Sequence, residues 1–163
     1  MTIATETDRH KLRETYGQGI EALVGVACYI NAVKALITIF IESHGQERPR
    51  IWEVEFPETG DSHAYLEFEG KIYNMGVTWP NDEYPTYSLE TIQAKGGRDV
   101  TQRALALMIS GIDELMSGKE TNTLVLLGKD SFKTELFISS LLIAYYVYLG
   151  HSLAEALKEA GVD

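Results

Sequence analysis

From Ile20 to Ile41 the apolar residues return at helical spacing: Ile20, Leu23, Val24, Ala27, Ile30, Val33, Leu36, Ile37 and Phe40. The spacing predicts a helix with one candidate break, Gly25, and a break there puts Cys28 in the first turn of the second piece. Ahead of it, Thr5 to Tyr16 is polar and charged and fits a short surface helix. Further on the period changes to two. Arg50 to Phe56 sets Trp52, Val54 and Phe56 against Glu53 and Glu55, which predicts a half-buried strand ended by Pro57. Ser62 to Glu69 sets Ala64, Leu66 and Phe68 against His63, Tyr65 and Glu67. Gly70 marks a turn, and Lys71 to Met75 returns as a partner strand.

Val77 to Gly97 is rich in Pro, Asn, Asp and Gly and reads mostly as loop. Val100 to Met116 is an amphipathic helix with Ala104, Leu105, Met108, Ile109, Ile112 and Leu115 as its stripe. Thr123 to Leu127 reads as a short central strand. Phe132 to Leu149 is apolar almost all round, which predicts a buried helix. Ser152 and Glu155 have capping-box spacing for a last helix that Gly161 ends.

The expected fold is therefore α+β, with mixed α/β also open: an N-terminal helix, two or three antiparallel strands, then helix, strand, helix, helix. It is read as one domain over residues 1–163, with the 77–97 loop as the place where two lobes could part. A chain of 163 residues can bury a core without disulfides or a structural metal. Fourteen Lys and Arg against 24 Asp and Glu give a formal charge of -10. So acidic a chain repels phosphate backbones and anionic lipid, which disfavours nucleic-acid and membrane-surface binding. With one cysteine, neither an internal disulfide nor a cysteine-rich zinc site can form. The four histidines show no metal-ligand spacing, so no metal or cofactor is expected. The N-terminus lacks the basic and apolar regions of a signal peptide, and Leu136 to Leu149 is too short to span a bilayer. A cytoplasmic location is expected.

Candidate chemistry comes from the hairpin. If Glu69 and Gly70 form a two-residue turn, Phe68 pairs with Lys71 and Tyr65 with Asn74. His63, Tyr65, Ile72 and Asn74 then share one face, and Ala64, Leu66, Phe68, Tyr73 and Met75 the other. His63 and Asn74 become diagonal neighbours about 7 Å apart at the backbone. A three-residue turn would separate them. An imidazole oriented by an amide is half of a nucleophilic site, and the thiol of Cys28 is the other half. A helix N-terminus would lower its pKa toward thiolate. The competing reading is that Cys28 is a small core residue and His63 a solvated one.

The stretch His63-Ala-Tyr-Leu-Glu-Phe-Glu-Gly-Lys-Ile-Tyr-Asn74 resembles the His-to-Asp/Asn hairpin of transglutaminase-like and papain-like cysteine enzymes. Cys28, in Gly25-Val-Ala-Cys-Tyr-Ile-Asn-Ala, precedes His63 in the order of that superfamily. The resemblance covers residues 20–75. It implies a hydrolase or acyltransferase acting on an amide, ester or thioester of a small-molecule or protein substrate. Cys28 would be nucleophile, His63 general base and then acid, and Asn74 the orienting residue; Gln18 is the candidate oxyanion donor.

Residues 112–160 resemble the end of a dual-specificity phosphatase in Thr123-Leu-Val-Leu-Leu, Ile143-Ala-Tyr-Tyr and Ser152-Leu-Ala-Glu-Ala-Leu157. The loop Gly128-Lys-Asp-Ser-Phe-Lys-Thr134 lacks that family's cysteine and arginine. This resemblance implies at most a non-enzymatic binding or adaptor protein. Lys129 and Lys133 could cradle an anion there; solvated lysines are the plainer reading. Tyr145, Tyr146 and Tyr148 could line a pocket or a homo-oligomer interface, with core packing as the default.

Overall fold

The computed structural model describes residues 2–16, 28–74, 84–116 and 131–161, with the side chains of Thr2, Arg13, 112–116 and 131–137 outside the description. The fold is α+β, as the pattern predicts. The chain divides into two compact units, Met1–Val100 and Thr101–Asp163.

The first unit contains β1 (Thr2–Ile3), α1 (Glu6–Tyr16), α2 (Cys28–Glu42), β2 (Arg50–Phe56), β3 (Asp61–Phe68), β4 (Lys71–Asn74), α3 (Leu89–Ala94) and β5 (Arg98–Asp99). The strands form one sheet in the order β1-β4-β3-β2-β5. β1 runs parallel to β4, and the other pairs are antiparallel. Glu69 and Gly70 both have positive φ, 51° and 78°, as a two-residue type I′ turn requires. That turn fixes the register: Phe68 opposes Lys71 and Tyr65 opposes Asn74.

Both faces of the sheet are covered, which corrects the half-buried reading of its strands. Across β2, β3 and β4, one face carries Val54, Tyr65 and Ile72, and Ile92 of α3 closes over them with Tyr87 and Leu89 at the margin. The other face, with Ile51, Ala64 and Leu66, lies under α2, whose Ala32, Val33, Ala35, Leu36, Ile37 and Ile39 are buried. The 77–97 stretch is thus not only loop. Within its described part Ser88 caps α3 by accepting from the Thr91 amide, and Arg98–Asp99 adds the edge strand.

Helix α1 is tied to the sheet by one ion pair, Lys71 Nζ to Asp8 Oδ1 at 2.6 Å. Asp8 Oδ2 also accepts from the Thr5 amide at 2.8 Å. The Lys71 hydrogen bond, then those from Thr5, hold the Asp8 carboxyl down at about 2 against an ordinary 3.8. The folded carboxyl is the more acidic one, so its contribution is complete above about pH 3.8 and is lost as pH falls toward 2. Thermal unfolding scans between pH 5 and 2 should therefore show a falling midpoint, and Lys71→Met should flatten that fall.

The second unit consists of α4 (Thr101–Met116), α5 (Ser131–Tyr148) and α6 (Leu153–Glu159). α5 packs against both α4 and α6, and Gln102 Nε2 donates to the Tyr148 carbonyl at 2.7 Å. The reading of α5 as buried all round is corrected over its described side chains. Ser140, Leu141, Ala144 and Val147 are buried, whereas Tyr145, Tyr146 and Tyr148 are half-buried. Two neighbouring helices cover a stripe, not a circumference. The capping box of Ser152 and Glu155 is present, and Gly161 follows α6 with φ 77°. The expected strand Thr123–Leu127 lies outside the described residues, as do Gly25 and Met75.

Among the described residues no helix is long and apolar enough to cross a membrane.

Candidate active site

Cys28 opens α2, and its half-buried sulfur accepts a hydrogen bond from the backbone N–H of Ala64 at 3.4 Å. Ala64 follows His63 on β3, so the thiol meets the backbone one residue from His63, whose side chain leaves the strand on the face opposite α2, with Val54 and Tyr65. His63 is 1 % exposed, which removes the solvated-surface reading of this histidine. Its Nε2 lies 2.5 Å from Asn74 Oδ1. The sheet register makes these two side chains diagonal neighbours on one face.

The hydrogen bonds settle which proton is where. Asn74 Nδ2 donates to the carbonyl of Tyr84 at 2.8 Å. A carbonyl only accepts, so the amide nitrogen must face Tyr84 and the amide oxygen must face His63. An amide oxygen only accepts in turn, so a neutral His63 carries its proton on Nε2, and Nδ1 is the unprotonated nitrogen. The Tyr84 ring lies flat on the imidazole, with centroids 4.3 Å apart and planes 20° apart, and the Tyr65 ring meets it edge-on at 4.9 Å. The segment bearing Tyr84 is fastened by Tyr65 Oη donating to the Pro85 carbonyl at 2.6 Å.

The expectation of a depressed thiol pKa is corrected. Burial pushes the Cys28 thiol up from its ordinary 9.0, and the Glu53 carboxylate adds to that push. Hydrogen bonds from the amides of Ala64, Tyr29 and Cys28 pull it down without prevailing. Desolvation of an anion outweighs a helix terminus here. The resting sulfur is a thiol, and a base must take its proton at the moment of attack.

Glu53, Tyr29, Arg98 and Tyr84 escape the sequence reading. Glu53 is buried under α2, where Tyr29 Oη donates to its Oε2 and Arg98 Nη2 to its Oε1, both at 2.6 Å. Alternation along β2 puts Glu53 opposite Val54 but carries no sign that a helix covers that face. Tyr84 lies in a stretch read as loop, where spacing has no meaning.

The other histidines do not join this cluster: His10 pairs with exposed Glu14, His44 sits in a turn with φ 53°, and His151 packs on Tyr146. Gln18 and the loop residues Gly128 and Lys129 lie outside the described residues, as does the Lys133 side chain. A cavity of about 170 Å³ between α1 and the β3–β4 hairpin is lined by Leu12, Tyr16, Phe68 and Tyr73, and by none of Cys28, His63 or Asn74. Among the described residues no group of three or more His, Cys, Asp or Glu could hold a metal ion. No protein-family model, curated protein or solved structure matches the chain.

Proposed function

We propose that this protein is a small cysteine hydrolase or acyltransferase of the transglutaminase-like and papain-like kind, acting on an amide, ester or thioester. The observation that supports it most is the sulfur of Cys28 resting on the Ala64 amide, one residue along β3 from His63, whose imidazole is held by Asn74.

Cys28 Sγ attacks the substrate carbonyl carbon while His63 Nδ1 takes the thiol proton. The carbonyl π bond opens and places charge on oxygen. The amides of Cys28 and Tyr29 begin α2, where N–H groups have no intrahelical acceptor, and serve as donors for that charge. The tetrahedral species collapses, the bond to the leaving group breaks, and the imidazolium returns the proton to the departing amine, alcohol or thiol. Water or an acceptor amine then attacks the thioester as His63 takes its proton, and Cys28 leaves protonated. Asn74 keeps the ring in one tautomer through both halves.

The test is acetylation of the native chain by p-nitrophenyl acetate. A burst of nitrophenol stoichiometric with protein, an acetyl group on the Cys28 peptide by mass spectrometry, and no burst from Cys28→Ala are expected. A chain that takes no acetyl group while folded is a binding or adaptor protein instead.

A further inference from the structure

We propose that Glu53 is a positioning residue for the nucleophile, holding the first turn of α2 to the sheet through Tyr29; this rests on the reading of Cys28 as that nucleophile. Glu53 stands on β2 directly opposite Ala64 of β3. Its side chain therefore leaves the sheet on the Ala64 side, beside the amide that holds the sulfur. A buried carboxylate is costly unless its oxygens are matched by donors, and here each oxygen has one. Arg98 reaches Oε1 because β5 sets it opposite Glu53 across β2. Tyr29 reaches Oε2 from the second residue of α2.

That second contact concerns the chemistry. Tyr29 is bonded to Cys28 along the chain, so fixing its hydroxyl fixes the turn that carries the sulfur. Helix ends are where a helix frays, and a sulfur is a weak acceptor. The Ala64 amide alone would hold this terminus loosely. The Tyr29–Glu53 bond is charge-assisted and stronger.

The carboxylate also acts on the thiol at short range. Among the described residues the titratable groups that bear on the sulfur are Tyr29 on α2, Glu53 on β2 and Tyr65 on β3. Arg98 of β5 faces Glu53 and Glu55. Burial keeps the resting sulfur protonated, and the negative charge of Glu53 adds a smaller push in the same direction.

The experiment uses the full chain and four variants: Glu53→Gln, Tyr29→Phe, their combination, and Arg98→Gln. Alkylation of Cys28 by iodoacetamide is followed across pH, and acetylation by p-nitrophenyl acetate at neutral pH. Glu53→Gln keeps the length and an oxygen for Tyr29 but removes the charge, so its alkylation profile should shift to lower pH. Both Glu53→Gln and Tyr29→Phe should slow acetylation, Tyr29→Phe by roughly tenfold or more. The double variant should be no slower than the slower single one, because Glu53→Gln weakens, by removing the charge, the same contact that Tyr29→Phe removes. Arg98→Gln leaves the Tyr29 contact in place and should acetylate faster than Tyr29→Phe. Additive losses, or wild-type acetylation by folded Tyr29→Phe, overturn the positioning role and leave the nucleophile standing. If Glu53→Gln does not fold, Tyr29→Phe decides alone, and wild-type acetylation overturns the proposal. A Cys28 that alkylates only in denaturant overturns the positioning role and the nucleophile together.

Discussion

His63→Ala is expected to slow acetylation of Cys28 by roughly 10²- to 10⁴-fold at neutral pH, the usual worth of a positioned general base. The size follows from the state of the sulfur. Burial keeps Cys28 protonated, so without the imidazole only the small spontaneously ionised fraction can attack. The pH dependence should change with the rate. In His63→Ala the rate should climb about tenfold per pH unit through the neutral range, because each unit multiplies the thiolate by ten. His151→Ala, whose ring packs on Tyr146 in the second unit, serves as the control and should behave as wild type. An unchanged rate in His63→Ala would remove the base from the mechanism. Asn74→Asp separates orientation from acceptance. A carboxylate can still accept from His63 Nε2 but can no longer donate to the Tyr84 carbonyl. Leaving that carbonyl without its donor should cost about 1–3 kcal/mol of stability, read from urea unfolding.

The parts of this site that depend on local rules were legible in the sequence. A two-residue Glu69-Gly70 turn admits one register, and that register alone places His63 and Asn74 diagonally on one face. The helical stripe runs back from Phe40 past Cys28 to Ile20, so only a break near Gly25 could put Cys28 in the first turn where the structure has it. Ser152 and Glu155 announce their helix by spacing. The rest was set by packing between distant segments. Nothing in Arg50–Phe56 tells which of its two faces α2 will cover, so a buried, shared Glu53 looks the same as a solvated one. The thiol pKa is hidden from the sequence for the same reason: the helix terminus is local, but the burial that outweighs it is tertiary. Helix α3 was missed because it is six residues long inside a turn-rich stretch. Its Ser88 cap and the Leu89 to Ile92 spacing are visible once the sheet needs a cover.

That cover leads to the largest expected loss of stability. Gly97→Ala should destabilise the fold by about 3 kcal/mol, at the upper end for overpacking. A methyl on Gly97 would fall 2.4 Å from Ile92 Cγ2 and 2.6 Å from the Ile92 carbonyl oxygen. The side chain has nowhere to retreat, since Ile92 is fully buried against Val54, Tyr65 and Ile72. The carbonyl is held as well, because it accepts the Gly97 N–H at 2.8 Å in the turn that closes α3. Gly96→Ala is the comparison. Its φ of 78° strains any side chain, but a methyl there meets no atom within 4 Å, so only the backbone cost of about 1–2 kcal/mol applies. Urea unfolding of the two variants therefore separates collision from strain, and equal losses would mean that Ile92 yields. The collision also reaches the chemistry. Ile92 presses on Tyr65, whose hydroxyl holds Pro85 and whose ring edge meets His63. Displacing it loosens the segment that carries Tyr84, and with it the carbonyl that orients Asn74. Acetylation by folded Gly97→Ala should thus fall below that of folded Gly96→Ala.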